Sequence, residues 1–171
     1  MSASQPMAAL NRTVVLGPVE IAAFRGAPQQ QLFERGDVLC RFITRGENSI
    51  EGPWWVLPQD LAAMRQHALR NGVGLPAVAR ARLAVSRDWS KRMDFVVTVK
   101  LQCAAFGWVG QARNQPVDSS RSNQNVLLIG GMRQVYMPNL LGDTYRTPAP
   151  VRVAHVGIVS PRAVVIAHEV V

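Results

Sequence analysis

After Asp94 the spacing of apolar residues changes period, and that change decides the class of fold. In FVVTVKL, Phe95, Val97, Val99 and Leu101 fall on one side of an extended chain, with Val96, Thr98 and Lys100 on the other. Before this point the period is helical. A first helix is predicted over 58–71, with Pro58 in the first turn, Asp60 near the N-terminus and Gly72 as the stop. Leu61, Met64 and Ala68 form its apolar stripe. A second helix is predicted over 76–92. Val78, Val85 and Trp89 are spaced for one face, and Arg80, Arg82, Arg87, Lys91 and Arg92 occupy other positions.

Strand signals flank the helical pair. Residues 37–43 (DVLCRFI) read as a buried strand opened by Gly36 and closed by a polar loop over 44–53. Residues 13–24 suggest one or two short strands broken at Gly17–Pro18. Later strands are predicted at 104–109, 126–129, 134–137, 151–159 and 163–170, with polar loops over 114–125 and 138–150. The chain is therefore expected to hold a flexible leader, 1–12, and a single domain, 13–171. The fold class is α+β, a largely antiparallel sheet with two helices between the first strands and the later strands.

Composition narrows the function. Apolar residues make up 48% and charged residues 18%, which suits a globular core and excludes a disordered chain. No apolar run reaches the length of a membrane span, and the N-terminus lacks a cationic start followed by an apolar core. The expectation is a protein cytoplasmic as synthesised, any export following a signal-peptide-independent route. Cys40 and Cys103 are too few for a disulfide framework or a zinc site and read as buried free thiols. The net charge is +8, and 17 of the 19 basic residues are Arg. Guanidinium forks match phosphate geometry. Codon bias in a GC-rich genome yields the same composition, so charge alone does not define a nucleic-acid binder.

Three clusters could carry chemistry. In VLLIGGMRQVYMP, two apolar runs flank Gly130–Gly131, and the second run carries Gln134, expected to point outward. Paired glycines let backbone approach a ligand closely; they equally suit a hairpin turn with an ordinary exposed Gln. Arg41 lies mid-strand in LCRFI, where a guanidinium must form a salt bridge, reach the sheet edge or meet an anion. Trp54 and Trp55 are adjacent, so on a strand one packs in the core and the other faces a surface or cleft, where its ring could stack on a base. His67, His155 and His168 have no metal-site or triad spacing, and neither a P-loop nor a dinucleotide fingerprint is present. Glu169, near the end of the last strand, is the one carboxylate considered as an acid or base, against its reading as a surface residue.

Taken in order, these residues form a pattern: Arg41 on an early strand, Gly52–Pro53–Trp54–Trp55, two helices ending in Asp88–Trp89–Ser90, then Phe106–Gly107, Gln111, Gln115 and Gly130–Gly131 with Gln134. Over roughly residues 37–140 it is similar to the bacterial toxin-type ADP-ribosyltransferase and NAD-glycohydrolase superfamily, especially its necrotizing-toxin-like branch. The resemblance implies a split β-sheet core with NAD, as substrate, in a cleft between two β layers and no metal. Arg41 would grip the NAD phosphates, Gln134 would contact the nicotinamide ribose, and Trp54 or Trp55 would line the nicotinamide pocket beside Gly130 and Gly131. An acceptor macromolecule or a cognate immunity protein would be the partner. The Ser-Thr-Ser segment and Glu-x-Glu pair of arginine-modifying transferases are absent, which puts transfer to a protein arginine in doubt.

Two other classes stay open. An Arg-rich binding module would track phosphates with the second helix, Arg113, Arg121 and Arg133. A β-rich structural or assembly protein would self-associate.

Overall fold

The computed structural model describes residues 16–44, 52–118, 126–138, 140 and 163–171. In chain order these form α1 (Pro18–Ala22), β1 (Phe24–Phe33), β2 (Val38–Ile43), β3 (Trp54–Trp55), α2 (Pro58–Asn71) and α3 (Leu75–Leu83). Then follow β4 (Phe95–Leu101), β5 (Ala105–Ala112), β6 (Gln115–Pro116), β7 (Leu127–Leu128), β8 (Arg133–Tyr136) and β9 (Ala163–Val170). The class is α+β, as the sequence indicates.

The strands form two main antiparallel sheets, ordered β1-β5-β8-β3 and β2-β4-β9, and a small β6-β7 ladder. One antiparallel bridge, Cys40 to Val56, ties the main sheets together through reciprocal backbone bonds of 2.8 and 2.7 Å. The period-two run sits at the centre of the three-stranded sheet, paired to β2 from Val38↔Lys100 to Ile43↔Phe95. Both of its faces are covered. Phe95, Val97, Val99 and Leu101 join a core with Phe33, Leu39, Ile43, Trp55, Val135 and Met137, drawn from both sheets. Val96 joins a second core with Cys40, Phe42, Leu61, Met64, Val78 and Leu83, under the helices. A strand buried on both faces reads as the near-continuous apolar run seen here.

The first helix runs as its spacing predicts. Leu61, Met64 and Ala68 are buried, and Gly72 closes it with φ +61°, a left-handed cap that glycine adopts without strain. The second helix is shorter than the predicted 76–92. It ends at Leu83, with Ala84 in the left-handed region at φ +53°. Arg80 draws the following segment into a loop by donating to the Val85, Ser90 and Lys91 carbonyls. Ser86 Oγ accepts the Asp88 amide, and Thr44 Oγ1 accepts the Arg92 and Met93 amides. These side-chain bonds compete with a helical ladder and win. Trp89 consequently lies outside the helix, 59% exposed.

The first expected strand is also revised. Its described part forms α1, a helix that buries no side chain, and a strand begins only at Phe24. β1 carries no apolar alternation because it is a sheet edge: only Phe24 and Phe33 are buried, and Gln29–Gln31 are exposed. Pro28 and a bulge between Arg25 and Gln29 suit an edge, where a missing donor is tolerated. The strand expected over 151–159 lies outside the described residues, as do His155 and the leader.

Candidate functional site

β8 is where the sheet core and a cavity divide the chain by alternation. Val135 and Met137 enter the inter-sheet core, and Gln134 and Tyr136, two residues apart, turn to the other face. That face borders a cavity of about 730 Å³, within the range of small-molecule sites. Its wall combines α1, β2, β3, β8 and the loop after α3.

The tandem tryptophans part as adjacent strand residues must. Trp55 is 1% exposed in the core and its Nε1 donates to the Met137 carbonyl at 3.3 Å. Trp54 and Trp55 both border the cavity, the Trp54 ring standing 5.3 Å from Phe24 and 4.9 Å from Tyr136 between centroids. Gly110 makes room for this aromatic group, because a β-carbon there would stand 2.6 Å from the Phe24 ring.

Arg41 also lines the cavity. Its Nη1 donates to the Trp54 carbonyl at 2.7 Å, and its guanidinium lies 5.9 Å from the Trp55 ring centroid. Gly52 makes this placement possible: a β-carbon at that position would fall within the guanidinium. Burial pushes the Arg41 pKa down to about 10, so the group is cationic at neutral pH but poorly solvated.

Gln134 departs from the outward position expected of it. It is 8% exposed, and Nε2 donates to the Ala23 carbonyl at 3.1 Å, just beyond α1. The Arg113 amide donates to the same carbonyl at 2.9 Å. Gln134 Oε1 has no hydrogen-bond partner among the described residues and is the end available to a ligand.

Gly130 and Gly131 are not brought to the cavity wall. They do not form a hairpin turn either, since β7 pairs with β6 and β8 with β5 and β3. Gly130, at φ +67°, packs against the Ala112 and Arg113 backbone and donates to the Ala81 carbonyl at 2.8 Å. Gly131, at φ +87°, donates to the Ala112 carbonyl at 2.8 Å. The pair carries the chain from the small ladder back to the main sheet.

Two acidic side chains also change standing. Glu169 forms an ion pair with Arg65 and does not line the cavity. Glu20, unremarked in the sequence because nothing local distinguishes it, does line it. Among the described lining residues Glu20 is the only carboxylate and Arg41 the only cation.

Several of the surface arginines are occupied by the fold. Arg133 binds Asp60 through Nε at 3.2 Å and Nη2 at 3.2 Å, Arg92 pairs with Asp94, and Arg25 donates to the Ile129 carbonyl. Arg121 lies outside the described residues. Among the described residues no group of three His, Cys, Asp or Glu could hold a metal ion, and no helix is long and apolar enough to cross a membrane.

No family model and no curated protein matches the chain. Solved structures similar to the chain include Tne2, in complex with Tni2, at 14% identity and TM-score 0.44, covering 67% of this chain and 83% of that one. Another is Rhs1-CT, in complex with its cognate immunity protein RhsI1, at 14% identity and TM-score 0.47, covering 80% of this chain and 87% of that one. At this distance neither carries an argument about this chain.

Proposed function

We propose that the cavity binds NAD and that the protein cleaves its nicotinamide–ribose bond, as an effector-type NAD glycohydrolase. The observation that carries this is convergence: Arg41, Trp54 and Gln134, singled out separately in the sequence, line one cavity. The Arg41 guanidinium brings a positive charge to the cavity wall, where it would attract the pyrophosphate. The Trp54 ring supplies a face for the nicotinamide, and Gln134 Oε1 can accept from a ribose hydroxyl or from the attacking water.

The chemistry asks little of a base. As the glycosidic C–N bond breaks, its electron pair passes to the ring nitrogen and neutralises the pyridinium. Positive charge develops on the anomeric carbon, which water attacks, releasing a proton to solvent. Positioning and electrostatic support are the main demands on such a site. A cognate immunity partner, on this basis, would act by covering the cavity mouth.

The test is nicotinamide release from NAD, followed by chromatography for the wild type and for Arg41→Lys and Gln134→Glu. Turnover in the wild type that is lost in Arg41→Lys, with a retained thermal transition, is the expected result. A wild type with neither turnover nor an NAD-dependent rise in Tm would overturn the proposal.

A further inference from the structure

The small β6-β7 ladder carries the densest run of exposed aliphatic side chains among the described residues. Val126, Leu127 and Ile129 are 56, 57 and 63% exposed. Between them Leu128 turns inward and packs with Ala84 and Ala112. A lone exposed aliphatic is ordinary, whereas a contiguous group marks a contact surface.

The fold fixes this ladder in place. Val117 donates to the Val126 carbonyl at 3.1 Å, and the Arg87 amide donates to the Val117 carbonyl at 3.0 Å. Beyond β7, Gly130 donates to the Ala81 carbonyl at 2.8 Å and Met132 to the Arg82 carbonyl at 3.1 Å. Arg25 Nη2 donates to the Ile129 carbonyl at 3.1 Å. These contacts gather arginines around the aliphatic strip: Arg25 from β1, Arg82 from α3 and Arg87 from the loop after it. Arg113 joins them just past β5, where Gly130 packs against its backbone. All four are exposed, and none forms an ion pair among the described residues. The neighbouring carboxylates are Asp118 and Asp88, the latter accepting from Ser86 Oγ, so the rim is positive. Burial lowers the Arg80 pKa and the Arg87 charge lowers it further, the effect of like charges crowded together.

An aliphatic centre bordered by guanidinium groups is the composition of a protein–protein contact. Nucleic acid suits it poorly, because the strip holds no aromatic ring for a base to stack on. A second copy of the chain would set one arginine rim against another. We infer that the β6-β7 ladder is the docking surface for an acidic protein, one that presents an apolar patch bordered by Asp and Glu. Leu127 and Ile129 are its anchors, and Arg82 and Arg113 orient the partner. None of these four residues lines the cavity, so the contact stands or falls independently of the NAD-cleaving reaction.

The probe is a fluorescent amphipathic helical peptide with Leu on one face and Glu on the other, titrated with the full chain and read by anisotropy. Companion peptides replace Leu by Ser or Glu by Lys, and oligouridylate and phosphatidylglycerol vesicles serve as polyanion and membrane probes. Wild type is expected to bind the Leu/Glu peptide about tenfold more tightly than the Ser/Glu peptide, the scale of burying a few methylenes. Affinity for both falls with added salt, and the Lys peptide does not bind. Leu127→Ser with Ile129→Ser removes the tenfold preference and keeps the salt dependence. Arg82→Glu with Arg113→Glu lowers affinity for both acidic peptides and flattens the salt dependence. Both double variants alter exposed side chains and should keep the wild-type Tm.

Equal affinity for the Leu/Glu and Ser/Glu peptides, unchanged in Leu127→Ser with Ile129→Ser, would reduce the surface to bare charge and overturn the proposal. Tighter binding of oligouridylate or of the vesicles, weakened by the arginine variant, would overturn it as well and give the face to a polyanion or a membrane. Failure of every probe to bind would also overturn it.

Discussion

Replacing Gly130 with Ala tests whether the Gly–Gly pair belongs to the frame or to the ligand. Gly130 adopts φ +67°, and a left-handed conformation costs an L residue about 1–2 kcal/mol. The new β-carbon would also overlap the Ala112 carbonyl oxygen and approach the Arg113 carbonyl carbon to 3.0 Å. These are backbone atoms at the end of β5, held by the Met132 and Gly131 bonds to Ala112, and they cannot rotate aside. Overpacking of this kind adds about 1–3 kcal/mol. The sum is about 3 kcal/mol, or a fall in Tm of about 10 °C for a chain of this length.

Gly131→Ala is the internal control. Its φ of +87° is also strained, but a β-carbon there would stand 4.0 Å from its nearest neighbour, Arg25 Nη1. Only the conformational cost remains, about 1–2 kcal/mol, partly offset by the stiffer unfolded chain. Thermal unfolding by circular dichroism measures both variants, with nicotinamide release normalised to the folded fraction. A Gly130→Ala Tm within about 2 °C of wild type, below 1 kcal/mol at this size, would refute the close approach. A folded Gly130→Ala protein that had lost NAD binding would refute the structural role and return the glycines to the ligand.

Other expected outcomes follow from single contacts. Trp55→Ala removes a ring 1% exposed in the inter-sheet core and should cost about 3–5 kcal/mol, whereas Trp89→Ala, at a site 59% exposed, should leave Tm unchanged in the same melt. Arg133→Ala leaves the buried Asp60 carboxylate without its bidentate donor and should cost about 1–3 kcal/mol by urea unfolding; a loss too small to measure would sink that account. Burial raises the Tyr136 pKa above its ordinary 10.0, and the Glu20 charge raises it further. The native state then binds the phenol proton more tightly than the unfolded chain, so stability is lost as pH rises from about 10 through the raised value. A phenolate absorbance titration should show the late-titrating tyrosine move down in Glu20→Gln, and an unchanged curve would contradict the contact. Burial likewise pushes the Cys40 thiol up, so Cys40 should resist a thiol reagent until the protein unfolds.

The sequence by itself determined whatever is written in local period. The apolar alternation of β4, the stripe and glycine stop of α2, and the limits of β9 are all present within short windows. Adjacency on a strand also determined that Trp54 and Trp55 would part, with Trp55 entering the inter-sheet core and Trp54 staying out of it. Arg41 could be recognised because a cation inside an apolar run has few ways to be accommodated. The tertiary structure decided what depends on distant partners. Gln134 turns inward because its amide meets the Ala23 carbonyl, 111 residues away, which no periodicity encodes. α3 stops early because Arg80 and Thr44 satisfy the backbone of the following loop from outside it. β1 could be an ordered strand with few apolar residues because β5 supplies its ladder. Glu20 entered the site only when folding set α1 against β8, for a lone glutamate carries no local signal until the cavity around it exists.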